Sequence, residues 1–396
     1  SIILLGISII LFAIRTVDMS SDIWDNIDLK KDDRTLKETG NSRAFFKKKN
    51  SNFLNKQSFD TEVENCSMSN ENPDYIEIND IEVSDTSKKN LIFCIGAANV
   101  DYKLIIENKV IMETSNPAQR ITTYGGVARN IAENLARLDE EVALMSKVGN
   151  DLEGTNVVKD ASPIMHIFAT DRDQIYNTGT YFAVLDESGN LVIGVADMKI
   201  CDTMDGDWIT SHEEHIKKAD IIVCDTNVQK SAIEKLQNID NRKIIIIGVS
   251  VTKTAHIPDK LKNIYLAILN KDEATAYAGC DKFDFKNVCE NLKKKGLDRC
   301  IITMGKDGCI FYEEKLSPIV LKAEMINNVV DVTGAGDSFS AGVIHALSND
   351  KSLETACKYG MKMAQLNLKS DESVVKNIPS DIFDNIDAFF DVSYDY

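Results

Sequence analysis

Six short apolar runs rich in β-branched residues, at 91–95, 142–146, 220–224, 243–249, 265–269 and 299–303, recur along this chain. Helical patterns at 126–138, 229–237, 271–278 and 285–294 follow several of them. Parallel strands need a long crossover between them, and a helix is the usual one. The alternation therefore predicts an α/β fold, a central and mostly parallel sheet with helices on both faces. Two stretches depart from it. Residues 102–113 and 179–197 read as hairpins, with turns at Glu107-Asn108 and Ser188-Gly189-Asn190. Helices near 336–348, 351–367 and 380–390 would close one face of the sheet, while Pro163 predicts an irregular region after Gly154.

The first part of the chain reads differently. Residues 1–14 are apolar and end at Arg15, a run shorter than the roughly 20 residues a membrane helix needs. It reads equally as the stump of a membrane span, a signal core or the end of an upstream domain. The first residue is Ser rather than Met, which suggests a fragment. From 16 to about 89 the chain is rich in Asn, Ser, Asp and Lys without periodicity. Such composition buries too little apolar area to offset its ordering entropy, so a disordered linker is expected before a folded domain over 90–396.

A net charge of −17 argues against a nucleic-acid surface, which needs clustered Lys and Arg. Nine cysteines without a C-x-x-C pair point to reduced thiols and a cytoplasmic setting. His212 and His215 are one residue short of the H-E-x-x-H zinc spacing and are expected to face solvent.

Three segments carry chemistry. Asp331-Val-Thr-Gly-Ala-Gly-Asp337 puts two glycines and a carboxylate where a loop becomes a helix. The first amides of a helix lack intrahelical partners and the dipole adds positive charge, so the place suits an anion. Gly334 and Gly336 would let a phosphate reach those amides, and Asp337 beside it would accept a proton from an attacking hydroxyl. A Gly-rich turn with an acidic first turn is the plainer reading. Tyr124-Gly125-Gly126 opens a helix whose Val127, Ile131, Leu135 and Leu138 share a face, with Asn130 one turn in. Packing through small residues would explain it as well. Leu91 to Asp101 is a strand with Asn99 and Asp101 at its carboxyl end, where ligands collect in open α/β sheets.

Gly125-Gly-Val-Ala-Arg-Asn-Ile-Ala132 and Asp331-Val-Thr-Gly-Ala-Gly-Asp337 resemble the two signatures of the PfkB, or ribokinase-like, sugar and nucleoside kinases. The resemblance runs from about Leu91 to about Pro379. Thr178-Gly-Thr-Tyr181 with Leu185-Asp-Glu-Ser-Gly189, Asn270-Lys-Asp-Glu273 and Thr303-Met-Gly-Lys-Asp-Gly308 fall in the family's order. Within it, Ile95-Gly-Ala-Ala-Asn-Val-Asp101 and Ala196-Asp-Met-Lys-Ile200 look most like pseudouridine kinases.

The resemblance implies a ribokinase-like fold with a small β lid over the substrate, built from about 102–113 and 179–197. It implies transfer of the ATP γ-phosphoryl group to the 5′-hydroxyl of pseudouridine. Asp337 would be the general base and the amides of Gly334, Ala335 and Gly336 the anion hole. Asn99, Asp101, Gly125, Gly126 and Asn130 would hold the sugar. Asn270 and Glu273 would organise Mg2+ and phosphates through water, although the same residues suit a polar helix start. Thr303 and Gly305 would line the nucleotide and Ser370 would border the adenine, while Asp331 and Thr333 would offer carbonyls to a monovalent cation such as K+. A homodimer through the lid and a fused or partner pseudouridine-5′-phosphate glycosidase upstream are also implied. Other readings are a kinase for ribose or another nucleoside, and a non-catalytic nucleoside-binding protein. Two positions depart from the family: Ile247-Gly248 stand where relatives often have Asp-Pro, and Asp139-Glu140 replace a glycine after Leu138.

Overall fold

The computed structural model describes residues 89–386, apart from 241, 315, 325, 327 and 328, and the strand at 392–393. The stub and linker expected before residue 89 lie outside the described residues. In chain order the strands are β1 (Leu91–Ile95), β2 (Asn99–Ile106), β3 (Ala118–Gly125), β4 (Glu141–Met145), β5 (Lys147–Gly149), β6 (Asp171–Asp173), β7 (Gly179–Leu185), β8 (Leu191–Asp197), β9 (Ile221–Asp225), β10 (Lys243–Ile247), β11 (Ile264–Asn270), β12 (Arg299–Thr303), β13 (Cys309–Glu313), β14 (Ile319–Leu321) and β15 (Val392–Ser393). The helices are α1 (Val127–Arg137), α2 (Leu152–Ala161), α3 (Gly206–Ser211), α4 (Glu213–Ile216), α5 (Lys230–Leu236), α6 (Lys271–Ala278), α7 (Phe285–Lys294), α8 (Ala335–Ser348) and α9 (Leu353–Asn367).

The central sheet has the order β4-β1-β9-β10-β11-β12-β13-β14-β15. Its strands from β4 to β12 run parallel, and the last three pair antiparallel at one edge. The continuous apolar runs follow from burial on both faces. Along β1, Phe93 and Ile95 join one core with Trp208 of α3, Leu236 of α5 and Leu292 of α7, while Ile92 and Cys94 join the other with Ile131 of α1, Val343 of α8 and Met361 of α9.

A separate four-stranded sheet has the order β3-β2-β7-β8, with β2 and β7 parallel and each outer strand antiparallel to its neighbour. This corrects the hairpin expected over 102–113. β2 ends at Ile106, a loop crosses 107–117, and the returning strand is Ala118–Gly125. Its first five residues are exposed, so no alternation of apolar and polar marks it as a strand. The 179–197 hairpin stands as β7 and β8.

Ends of elements follow local chemistry. α2 is capped by Asp151, whose carboxylate accepts from the Gly154 amide at 2.7 Å, and stops two residues short of Pro163. Without a glycine after Leu138, Asp139 itself takes the left-handed turn, at φ 64°. The helix expected over 380–390 is not found where the chain is described: 380–385 are turns. His212 does not face solvent. Its Nε2 lies 3.2 Å from Asp171 Oδ1, and Asp171 also accepts from the Trp208 indole at 2.8 Å. No described helix is long and apolar enough to cross a membrane.

Candidate active site

Asp337 lies in the first turn of α8, behind Gly334, which caps the helix in the left-handed conformation at φ 79°. A Cβ at Gly334 would come within 2.1 Å of the Ser373 carbonyl oxygen, so glycine is required there by packing as well as by φ. At Gly336 the case is different: a Cβ would meet nothing within 4 Å, and the space beside the helix start is open. The Ala335 amide reaches only to the Val332 carbonyl, at 3.4 Å, and the Ser338 amide makes the first short helical bond, 2.9 Å to Gly334. The front of α8 therefore has amides free to receive an anion.

The Asp337 carboxylate accepts a 2.8 Å hydrogen bond from Asn130 Nδ2, and among the described residues no cation pairs with it. Burial pushes its carboxyl up to about 7. The Asn130 bond works against that rise, and the Asp225 and Asp101 charges add to it. A carboxyl titrating near neutrality, beside unpaired amides, can take a proton from a hydroxyl at working pH. Asn130 Oδ1 is buried and without a partner, which leaves an acceptor facing the same region.

The second carboxylate is Asp101, on β2. Asn99 Nδ2 donates to its Oδ1 at 2.7 Å. Burial raises its carboxyl to about 6, while Asn99, Lys103 and Arg129 hold the rise in check. Gly125 faces it across the strand pair, and a Cβ there would fall 2.1 Å from Asp101 Oδ2. Gly126, at φ 103°, would meet the Ala97 carbonyl at 2.3 Å. Both glycines thus let β3 and the start of α1 pack against the β1–β2 segment. Asn99, Asp101, Gly125, Gly126, Asn130 and Asp337 are brought into one neighbourhood, linked by the Asn99–Asp101 and Asn130–Asp337 bonds and by the charge of Asp101 on Asp337.

Asp225 was not singled out from the sequence. It ends β9, fully buried, and accepts from the amides of Ala97 and Ala128 at 3.0 Å each and of Asn227 at 2.8 Å. It caps α1 from another strand and ties that helix to the turn after β1. Burial raises its carboxyl despite those bonds. The signal was available: Val223-Cys224-Asp225 repeats the pattern of a buried strand ending on a carboxylate. Lys103, two residues past Asp101 on the same face of β2, was missed in the same way.

The residues expected on the nucleotide side are placed by a different device. Asn270 Oδ1 accepts from the amides of Asp272 and Glu273, and Glu273 Oε2 accepts from the Asn270 amide at 2.8 Å, a reciprocal capping box at the start of α6. The plainer reading of this motif is therefore what the geometry displays. Burial raises the Glu273 carboxyl, which packs against Gly248: a Cβ there would lie 2.1 Å from Glu273 Oε2. That contact accounts for glycine at the departing position. Among the described residues no cluster of three or more His, Cys, Asp or Glu could hold a metal ion. Oxygen donors of this kind suit Mg2+ through water, with Glu273 Oε1 outside the capping bonds. Thr303 ends β12 in register with Asn270, and Gly305 follows in a turn at φ 59° with open space where a side chain would be. Ser370 accepts from the Glu372 amide at 3.1 Å, in the loop whose Ser373 packs on Gly334. Asp331 Oδ1 accepts from the Thr333 amide at 2.9 Å and hydroxyl at 2.8 Å, and its Oδ2 lies 3.0 Å from Lys103 Nζ. Burial alone would raise this carboxyl; those donors hold it below the ordinary range. Its two carboxylate oxygens are thus engaged by three donors, one of them an ammonium, while the carbonyl oxygens of Asp331 and Thr333 expected to face a monovalent cation are separate from these bonds.

Residues 89–379 match the pfkB family of carbohydrate kinases. The chain belongs to that family. It is 30% identical over 270 residues to the pseudouridine kinase of Escherichia coli (strain K12), covering 65% of this chain and 83% of that protein. It is 25% identical over 294 residues to the guanosine-inosine kinase of Exiguobacterium acetylicum, covering 72% and 96%. A solved carbohydrate kinase from Agrobacterium tumefaciens superposes with a TM-score of 0.68 at 25% identity, covering 77% of this chain and all of that one. As a member of the pfkB family the chain is a sugar or nucleoside kinase, and its fold is ribokinase-like.

Proposed function

We propose that this kinase transfers the γ-phosphoryl group of ATP to the 5′-hydroxyl of pseudouridine, giving pseudouridine 5′-phosphate. The observation that carries the reaction type is Asp337: a carboxyl pushed up to about 7, oriented by Asn130, in the first turn of a helix whose front amides are open to an anion. Phosphoryl transfer asks for positioning and charge stabilisation more than covalent participation by the protein. Asp337 accepts the proton of the attacking hydroxyl. The amides of Gly334, Ala335 and Gly336 receive the transferring oxygens, and the open side of Gly336 admits them. Asp101 accepts from sugar hydroxyls, with Asn99 fixing its orientation. Asn130 Oδ1 takes a further hydroxyl. Mg2+ carried by the nucleotide would offset phosphate charge, with Asn270 and Glu273 as the residues reaching it through water. Thr303 and Gly305 line the nucleotide and Ser370 borders its base.

The nucleoside is supported by likeness to the Escherichia coli enzyme and by the quoted segments of the sequence. The Exiguobacterium relative favours a purine nucleoside as the second reading. A coupled assay of the full chain with ATP and Mg2+ against pseudouridine, uridine, guanosine, adenosine and ribose separates them. Turnover of a purine nucleoside or ribose without turnover of pseudouridine overturns the substrate. No phosphoryl transfer to any acceptor favours a binding protein instead. Self-association through the small sheet belongs to the same reading, since β8 leaves Leu191, Val192, Ile193 and Val195 exposed along an unpaired edge.

A further inference from the structure

We propose that Lys103 supplies, from within the chain, the positive charge that the family resemblance assigns to a monovalent cation at the Asp331–Thr333 turn, so that turnover is independent of K+. Asp331 opens the loop that leads through Gly334 into the first turn of α8, where Gly336 and Asp337 lie. Its Oδ1 is taken by the Thr333 amide and hydroxyl, and its Oδ2 by Lys103 Nζ at 3.0 Å. The pair is about three-quarters buried, at 27% and 26% exposure, so it is less screened than a surface ion pair. Lys103 is held firmly. It sits in an inner strand of the small sheet, in register with Ile121 of β3 and Ala183 of β7. It shares a face with Asn99 and Asp101, because side chains two apart on a strand point the same way. A monovalent cation at the Asp331 and Thr333 carbonyls would share the turn with an ammonium already tethered to the Asp331 carboxylate, and the two like charges repel.

The ion pair joins residues 228 apart in sequence and ties the strand carrying Asp101 to the loop that leads into Asp337. Lys103 is therefore a positioning residue. It sets the spacing between the sugar-binding carboxylate and the base, and its charge at the root of the loop favours the anion arriving at the front of α8.

The inference rests on the kinase reading, and its test separates the two. Wild-type turnover of whichever acceptor the screen identifies is measured with choline, Na+ or K+ as the sole added monovalent cation, at matched ionic strength. The rates are expected to agree within about twofold. Lys103→Ala is expected to lose about tenfold in choline and regain part of it with K+, while Lys103→Arg keeps most of the rate. Melting temperatures of the same proteins, without acceptor, form a second readout. K+ in place of Na+ is expected to raise the melting temperature of Lys103→Ala and leave the wild type unchanged. K+ activation of the wild type, or a K+-specific rise in its melting temperature, overturns the proposal. So does a Lys103→Ala protein that is fully active in choline, or one that K+ does not help. If Lys103→Ala does not fold, the wild-type cation series decides alone. If no acceptor is found, the melting series still decides, so failure of the substrate reading is distinguishable.

Discussion

Asp337 shows how a single side chain takes on a role through its surroundings. An ordinary aspartate is fully ionised at neutral pH and a weak base; burial beside Asp225 and Asp101 moves this one to about 7. In the proposed reaction the ionised form accepts the proton, so log(kcat/KM) is expected to rise with unit slope below about pH 7 and level off above it. The Asn130 bond favours the ionised form, so Asn130→Ala should move that acid limb to higher pH. Stability has the opposite sign. The folded carboxyl holds its proton up to about 7, the unfolded one only to near 3.8. The native state therefore binds an extra proton between those values, and stability falls as pH rises through that window. Asp337→Asn abolishes this component, so the variant should melt at a higher temperature than wild type at pH 8 and show a flatter profile. A variant that melts lower at pH 8 would mean that the carboxylate stabilises the fold rather than burdening it.

At the scale of elements, two glycines two residues apart should behave differently. Gly334→Ala forces a Cβ against the Ser373 carbonyl at a left-handed position, and should cost about 1–3 kcal/mol by urea unfolding. Gly336→Ala meets open space, so its stability should be near wild type while KM for ATP rises. Equal losses of stability would show that Gly336 is also a packing residue. Asp225→Ala should be more damaging, since it leaves the amides of Ala97, Ala128 and Asn227 buried without their acceptor, about 1–3 kcal/mol for each group. These elements differ in how readable they were. The runs at 91–95 and 299–303 and the helices at 271–278 and 285–294 coincide with β1, β12, α6 and α7 because apolar periodicity and local capping, at Asn270 and Asp284, agree there. β3 was not legible because its residues are mostly exposed, so only pairing to β2 makes it a strand.

The whole molecule brings together side chains that no local pattern connects. The glycine loops and their carboxylates were legible, as each sits where a strand or loop meets a helix. The bonds between them were not: Asn130 to Asp337 spans 207 residues and Lys103 to Asp331 spans 228, separations set by sheet order alone. Asp225 at its strand end was readable as a candidate, but its partner was not, since its carboxylate caps a helix 97 residues earlier. The small sheet leaves an apolar edge on β8, and sedimentation equilibrium is expected to show a dimer that Ile193→Lys dissociates. A monomeric wild type would assign that edge another use. The central claim concerns the chemistry at the front of α8, and 31P NMR of full-length protein with ATP, Mg2+ and pseudouridine tests it most directly. The account predicts a 5′-monophosphate product from wild type and a rate lower by roughly 10³ for Asp337→Asn with nucleoside binding retained. A wild-type rate in Asp337→Asn, or phosphate appearing on another oxygen, would contradict it.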